Sequence, residues 1–246
     1  MQSQVIQGDC LPELIKLPAA SIQTVFMDPP YNFAFDYGDG PKADSRPTAE
    51  YLADIELVVR RCVRLLTPTG SLWLLGPERW ADQFGAILTN ILPRRNRIIW
   101  RETFGQYRED RFPSGHRHLF WHVKSAEASF YTDQIRVPSQ RMKNGDRRAK
   151  GPRVPDDVWE LPRLVGNAAE RIAGHPCQLP EALLERVVLC SSKPDDFVVD
   201  PFAGTGTTLR VAQRLGRRYI GVEKQPKFVS LIKKRLNAPI QTGLFD

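Results

Sequence analysis

The chain has 246 residues, 35 basic and 28 acidic side chains for a net charge of +7, and 41% apolar residues. These values exclude a collagen-like or largely disordered chain, and the length allows a buried core without disulfide or metal staples. Cys10, Cys62, Cys177 and Cys190 form no Cys-x-x-Cys pair, and there is no signal-peptide pattern or long apolar run, so a reducing, cytoplasmic setting is expected.

Apolar and β-branched runs alternate with stretches of helical periodicity, the rhythm of an α/β fold. In chain order the pattern predicts strands at residues 4–7 and 22–27, then a Gly- and Pro-rich loop over 33–47. A helix follows over 48–66, with Tyr51, Ile55, Val58, Val59, Cys62 and Leu66 on one face. Next come a strand at 71–75, a helix over 79–90, and strands at 97–101 and 119–124. Residues 130–167 read as a long loop, of the kind that is usually functional. A helix over 180–190, a strand at 197–200, a helix over 207–215, a strand at 219–223 and a helix over 226–235 complete one expected domain, without internal repeats.

The sharpest chemical signal is Asp200-Pro201-Phe202-Ala203-Gly204-Thr205-Gly206-Thr207-Thr208, between a strand and a helix. Gly204 and Gly206 let the backbone turn tightly and approach a ligand with no Cβ in the way, and Thr207 and Thr208 are placed to cap the helix. Nineteen residues beyond Gly204 stands Glu223, at a strand end where a carboxylate can accept both hydrogen bonds of a ribose diol. A dinucleotide fingerprint would carry Gly or Ala where this chain has Leu209, and Asp200 would repel a pyrophosphate. Carboxylates suit a cation instead, such as the amine and sulfonium of S-adenosylmethionine. The bland alternative is a purely structural strand-turn-helix.

The second signal is Asp28-Pro29-Pro30-Tyr31, again at a strand end. Two prolines fix φ and remove two N–H donors, so the Asp28 carboxylate and the Pro29 carbonyl can accept hydrogen bonds from one amino group. Tyr31 offers a flat face for a base. A Pro-Pro turn with an aspartate cap is the structural alternative.

Together these segments resemble the amino-group DNA methyltransferases, which methylate the exocyclic nitrogen of adenine or cytosine. Asp28 to Tyr31 resembles the family's catalytic motif, and Asp200 to Thr208 its cofactor loop. Gly8-Asp9-Cys10-Leu11 is similar to its early Gly-Asp segment, and Gly174-His175-Pro176-Cys177-Gln178-Leu179-Pro180 to its His-Pro segment. Catalytic motif before cofactor loop is the order of the family's beta class. The resemblance implies a circularly permuted, Rossmann-like methyltransferase fold with a mostly parallel sheet of about seven strands. Asp28, Pro29, Pro30 and Tyr31 would be catalytic. Asp9, Cys10, Asp28, His175, Pro176, Asp200, Phe202, Ala203, Gly204, Thr205, Gly206, Thr207, Thr208 and Glu223 would bind the cofactor, S-adenosylmethionine.

The resemblance also places a DNA-recognition insert at about residues 103–167. Between residues 136 and 153 lie Arg136, Arg141, Lys143, Arg147, Arg148, Lys150 and Arg153 against Asp146 alone, a charge suited to phosphates. Arg108 and Arg111 join this DNA-binding set, with Arg101, Arg117, Phe104, Tyr107 and Phe112 adding charge and base-stacking faces. Asp28 favours adenine N6 over cytosine N4, because Ser at that position leans toward cytosine in the family. Double-stranded DNA is the implied partner, and a homodimer and a cognate restriction endonuclease are compatible. An RNA or protein methyltransferase and a non-catalytic DNA-binding protein are the rival readings. Two departures stand out: Leu179 where many relatives carry Lys, and His116-Arg117-His118 where a His followed by Glu is common. His116, His118 and His122 cluster, but no cysteine or carboxylate at ligand spacing joins them, so no metal is expected.

Overall fold

Ile22–Met27 is buried at all six positions, as a strand covered on both faces must be. Val25 and Met27 point into one apolar layer and Phe26 into the other. This strand, β2, is central to an eight-stranded sheet seen in a computed structural model that describes residues 1–36, 40–102, 109–148, 150–165, 168, 170–172 and 177–239. The others are β1 (Gln4–Gln7), β3 (Leu66–Pro77), β4 (Arg94–Arg101), β5 (His116–Val123), β6 (Val158–Glu160), β7 (Phe197–Asp200) and β8 (Arg218–Glu223). Their order is β1-β8-β7-β2-β3-β5-β4-β6. Only β5 runs antiparallel to its two neighbours, β3 and β4.

Helices α1 (Cys10–Lys16), α2 (Thr48–Leu65) and α3 (Ala81–Thr89) cover one face. Leu14, Ile55, Val58, Val59, Phe84 and Leu88 pack there against the sheet. On the other face α5 (Glu181–Ser191) and α6 (Thr207–Arg214) bring Leu183, Leu184, Val187 and Val211 against Phe26, Trp73 and Val198. Helix α7 (Pro226–Asn237) packs Ile232 and Leu236 with Leu209 and Ala203, and the single turn α4 (Gln140–Lys143) lies in the basic segment. No described helix is long and apolar enough to cross a membrane.

The expected α/β architecture holds, with differences at its margins. The sheet has eight strands because Val158–Glu160, inside the segment expected to be loop, pairs parallel with β4 at the edge. Helix α1 is an addition, too short at seven residues to show a period, although Asp9 caps it by accepting the Leu11 N–H at 3.0 Å. The 33–47 loop carries a 3-10 turn at Pro41–Asp44.

The topology fixes where ligands can go. From β2 the chain moves outward to β3, and from β7 it moves the other way to β8, while β7 and β2 lie parallel and adjacent with Val25 beside Val199. Their carboxyl ends flank a switch point, the crevice where open α/β sheets bind ligands. Asp28 leaves β2 there, Asp200 ends β7, Glu223 ends β8, and Gly8 and Asp9 follow β1.

Gly206 has φ +74°, and a Cβ there would lie 2.9 Å from Ile232 Cγ2. Its freedom therefore serves the turn and the packing of α7. Gly206→Ala is expected to cost about 2 kcal/mol, from left-handed strain plus overpacking. Thermal denaturation should show a melting point lower by about 5 °C, and an unchanged one would mean that the loop does not need this conformation. The missing third glycine is answered across the sheet: Leu209 fills that space, and Gly221 of β8 leaves room for it, since a Cβ there would meet Leu209 Cδ1 at 2.3 Å.

Candidate active site

The two motif turns open on one cavity of about 700 Å³. Asp9, Cys10, Asp28, Pro29, Pro30, Tyr31, Asp200, Phe202, Ala203, Gly204, Thr205, Thr207, Thr208 and Glu223 all line it. Among the described residues expected to bind the cofactor, only Gly206 stays outside the lining. His175, Pro176 and Arg108 lie outside the described residues.

Backbone and side chains pin the Asp28–Tyr31 turn. The Tyr51 hydroxyl donates to the Pro30 carbonyl at 2.9 Å, and Trp80 Nε1 donates to the Tyr31 carbonyl at 2.6 Å. Beyond the turn, Asp44 accepts the backbone N–H groups of Asn32, Phe33 and Phe35 at 2.9, 3.0 and 3.1 Å, which holds the next loop against the site. The Tyr31 hydroxyl donates to Asp28 Oδ1. Among the described residues Oδ2 and the Pro29 carbonyl accept no hydrogen bond, and both residues line the cavity. Burial pushes the Asp28 carboxyl above the usual range, opposed by the Arg117 guanidinium and the Tyr31 hydrogen bond. Burial, reinforced by Asp28, holds the Tyr31 phenol well above its ordinary value, so it remains a donor.

On the other side Glu223 ties its own loop. Oε2 accepts the Gly204 N–H at 2.9 Å and Oε1 the Gln225 N–H at 2.8 Å, and the Lys224 backbone also bonds to this carboxylate, which lines the cavity. Asp200 Oδ1 accepts the Phe202 N–H at 2.9 Å, and burial pushes its carboxyl up to about 7 despite the Thr208 hydroxyl bond. Burial also raises Glu223. Three carboxyls whose ionised form is disfavoured surround one cavity, and a bound cation relieves them. The Cys10 thiol is pushed up to about 12 by burial and Asp9, so it stays neutral.

Thr207 and Thr208 do not cap α6. Gly206 is its N-cap, in left-handed conformation and without a side-chain bond. Thr207 Oγ1 pairs with Thr205 Oγ1 at 3.1 Å and accepts from Arg235 at 3.0 Å, while Thr208 serves Asp200. Leu179, where many relatives carry Lys, is buried against the cavity wall.

Arg111, Arg136, Arg141, Lys143, Arg147, Arg148, Lys150 and Arg153 are all exposed. Val137 and Arg153 exchange backbone hydrogen bonds at 2.8 and 2.9 Å, closing the basic segment into a loop. Arg148 meets Asp146 at 3.2 Å and Arg153 meets Asp156 at 3.1 Å, exposed pairs of small energy that leave the charge available. Phe112 is 97% exposed and so stands outside the core. Arg117 is different. Its sequence neighbours group it with the phosphate-facing residues, but it lies half-buried on the cavity wall beside Tyr31, with Nε 3.1 Å from Glu102 Oε1. Asp44, Tyr51, Trp80, Glu102 and Arg117 are additions to the expected site residues, and only Arg117 carries a signal in the sequence, as the departure from the His-Glu pattern.

The histidines also need correction, because a carboxylate does join them. Among the described residues Glu78, His116 and His118 have ligand atoms within 4.8 Å of one another. Hydrogen bonding accounts for the group without a metal. Arg97 Nε donates to His118 Nδ1 at 3.1 Å, so the His118 proton sits on Nε2 and is donated to Glu78. A metal at Nε2 would move that proton to Nδ1 against a guanidinium donor, the reverse of the acceptor that supports a histidine ligand. His122 is buried with Nδ1 3.0 Å from the Leu92 carbonyl.

Residues 22–234 match the DNA methylase family of N6/N4 enzymes. The type II methyltransferases M.BglII (Bacillus subtilis) and M.HinfI (Haemophilus influenzae) are each 32% identical to this chain, over 93% and 94% of it. The chain spans about two thirds, 67%, of the length of both. A DNA modification methylase of Thermus thermophilus, solved in complex with S-adenosyl-L-methionine, superposes with a TM-score of 0.67 at 26% identity, covering 95% of this chain and 93% of that one. The cytosine-N4-specific PvuII DNA methyltransferase shares the fold, with a TM-score of 0.70 at 19% identity over 99% of this chain and 89% of its own. With the motif turns, the switch-point cavity and this match over most of its length, the chain belongs to the N6/N4 DNA methylase family.

Proposed function

We propose that this protein transfers a methyl group from S-adenosylmethionine to the exocyclic amine of a base turned out of double-stranded DNA, with adenine N6 the favoured target. The observation that carries this reading is the single cavity shared by the Asp28–Tyr31 turn and the loop from Asp200 to Thr208. The donor set fits S-adenosylmethionine: Glu223 offers a carboxylate to a ribose diol, and Asp28, Asp200 and Glu223 are carboxyls of the cavity wall, raised by burial, that favour a cation. When bound, S-adenosylmethionine would supply a methyl carbon made electrophilic by its sulfonium and, as the carbon–sulfur bond breaks, leave as the neutral thioether. Asp9, Cys10 and the 200–208 loop would hold it.

The rest of the chemistry belongs to this chain. Asp28 Oδ2 and the Pro29 carbonyl accept the two N–H groups of the target amine, which directs its lone pair toward the methyl carbon. As the nitrogen forms its new bond it becomes acidic, and the Asp28 carboxylate, already raised by burial, is the adjacent acceptor for the proton that is shed. Tyr31, with its carbonyl fixed by Trp80 and its hydroxyl by Asp28, presents its ring to the extruded base. Catalysis on this account is positioning and electrostatics, with no covalent enzyme intermediate.

Residues 103–167 are the DNA-recognition insert within one domain, and Arg111 with the exposed basic residues from 136 to 153 contacts phosphates. The curated relatives are named type II methyltransferases, which supports a role in the cytoplasm beside a restriction endonuclease. A second subunit would add DNA contacts. The test is mass spectrometry of nucleosides from unmethylated DNA incubated with the protein and S-adenosylmethionine. N6-methyladenine is expected. N4-methylcytosine would keep the mechanism and overturn the base preference, and the absence of any methylated nucleoside would overturn the reading.

A further inference from the structure

Arg117 stands on β5 directly across from Pro77 of β3 on one side and Trp100 of β4 on the other. Its guanidinium lies 5.4 Å from the Trp100 ring centroid and 6.0 Å from that of Tyr31, on the wall of the cavity that holds Asp28. Nε is ion-paired with Glu102 Oε1 at 3.1 Å, and Glu102 is itself buried. Among the described residues the two terminal amino groups of Arg117 donate no hydrogen bond, and no ion pair forms between Arg117 and Asp28. Arg117 and Asp28 thus line one cavity with no ion pair between them.

Resting on the transfer reading above, we propose that Arg117 is a positioning residue, the counter-ion of Asp28, held by Glu102 where it favours the carboxylate without occupying the oxygen that receives the substrate amine. The groups facing Asp28 agree with this in sign. Tyr31 of its own turn and Tyr51 of α2 stay protonated, and Glu102 after β4 and Asp200 at the end of β7 are acidic. Arg117 is the one cation among these groups, and with the Tyr31 hydrogen bond it opposes burial and Glu102, which favour a neutral, proton-bearing Asp28. A neutral Asp28 would present a hydroxyl where the amine requires an acceptor. A guanidinium bonded straight to Asp28 would use up the lone pairs that the amine needs. The Glu102 tether avoids both failures.

The test is the pH profile of kcat/KM, whose acid limb reports the essential carboxylate of the free enzyme. Arg117→Met should move that limb upward by about one pH unit or more, so that activity on the limb falls about tenfold at a given pH and recovers as pH rises. Arg117→Lys should leave the limb near its original place. Glu102→Gln should move it downward and lower kcat across the range, because the released guanidinium closes on Asp28. Melting curves of the three variants establish that each is folded. A limb in Arg117→Met that coincides with that of the unaltered protein overturns the proposal. The Asp28 carboxyl can also be titrated without DNA through its 13C resonance, assigned by its loss in Asp28→Asn. An upward shift of that titration in Arg117→Met supports the counter-ion role even if the unaltered protein methylates no DNA, and an unmoved titration overturns it.

Discussion

Replacing Asp28 by Ala should lower kcat for methyl transfer by about a thousandfold, near 4 kcal/mol, while the Kd for S-adenosylmethionine rises by no more than about tenfold, through loss of one of the three carboxyls near its charge. The argument is geometric. The turn that carries Asp28 is held by the Tyr51 and Trp80 hydrogen bonds to its carbonyls, neither of which involves the Asp28 side chain. The variant therefore keeps the cavity wall and the Pro29 carbonyl and loses one of the two acceptors that orient the amine. The Tyr31 hydroxyl loses its acceptor as well, which loosens the ring offered to the base. Single-turnover transfer of a labelled methyl group gives the rate, and calorimetry gives the affinity. Full activity in Asp28→Ala would remove Asp28 from the mechanism.

Glu223→Ala should act on affinity instead, raising the Kd for S-adenosylmethionine by about a hundredfold, near 3 kcal/mol, with kcat at saturating cofactor little changed. Two contributions combine. The carboxylate would accept both hydroxyls of a ribose, and it also holds the Gly204 and Gln225 N–H groups that shape the loop. Glu223→Gln keeps one oxygen as acceptor and should cost about tenfold, since hydrogen bonds to a charged acceptor are the stronger kind. An unchanged Kd in Glu223→Ala would take this residue out of the ribose role.

Much of this site is legible in the sequence because its chemistry is written in short contiguous runs. Asp28-Pro29-Pro30-Tyr31 and Asp200 to Thr208 each follow a strand whose apolar character is unambiguous, and β1, β2 and β7 have the expected bounds. What escapes a reading of the sequence depends on residues distant along the chain. Glu78 reaches His116 and His118 across about forty positions, and Asp44 folds back on the amides of 32, 33 and 35. Glu102 and Arg117 meet only because β4 and β5 pair in register. Val158–Glu160 is a strand by virtue of its partner, since three residues carry no periodicity of their own. The space that Gly221 leaves for Leu209, which sets this loop apart from a dinucleotide fingerprint, likewise depends on the pairing of distant segments.

The pairing of β1 with β8, in which Gln4 lies beside Ile220, has a consequence for synthesis. The turn from Asp28 to Tyr31 is translated well before β7 and β8, the strands that flank it toward the cofactor side. Until then β2 lacks its neighbour on that side, and the early strand β1 has nothing to pair with. On the function proposed above, a nascent chain would carry the Asp28–Tyr31 turn before the other half of its cavity exists, and that cavity is complete only when residues 197–223 join the sheet.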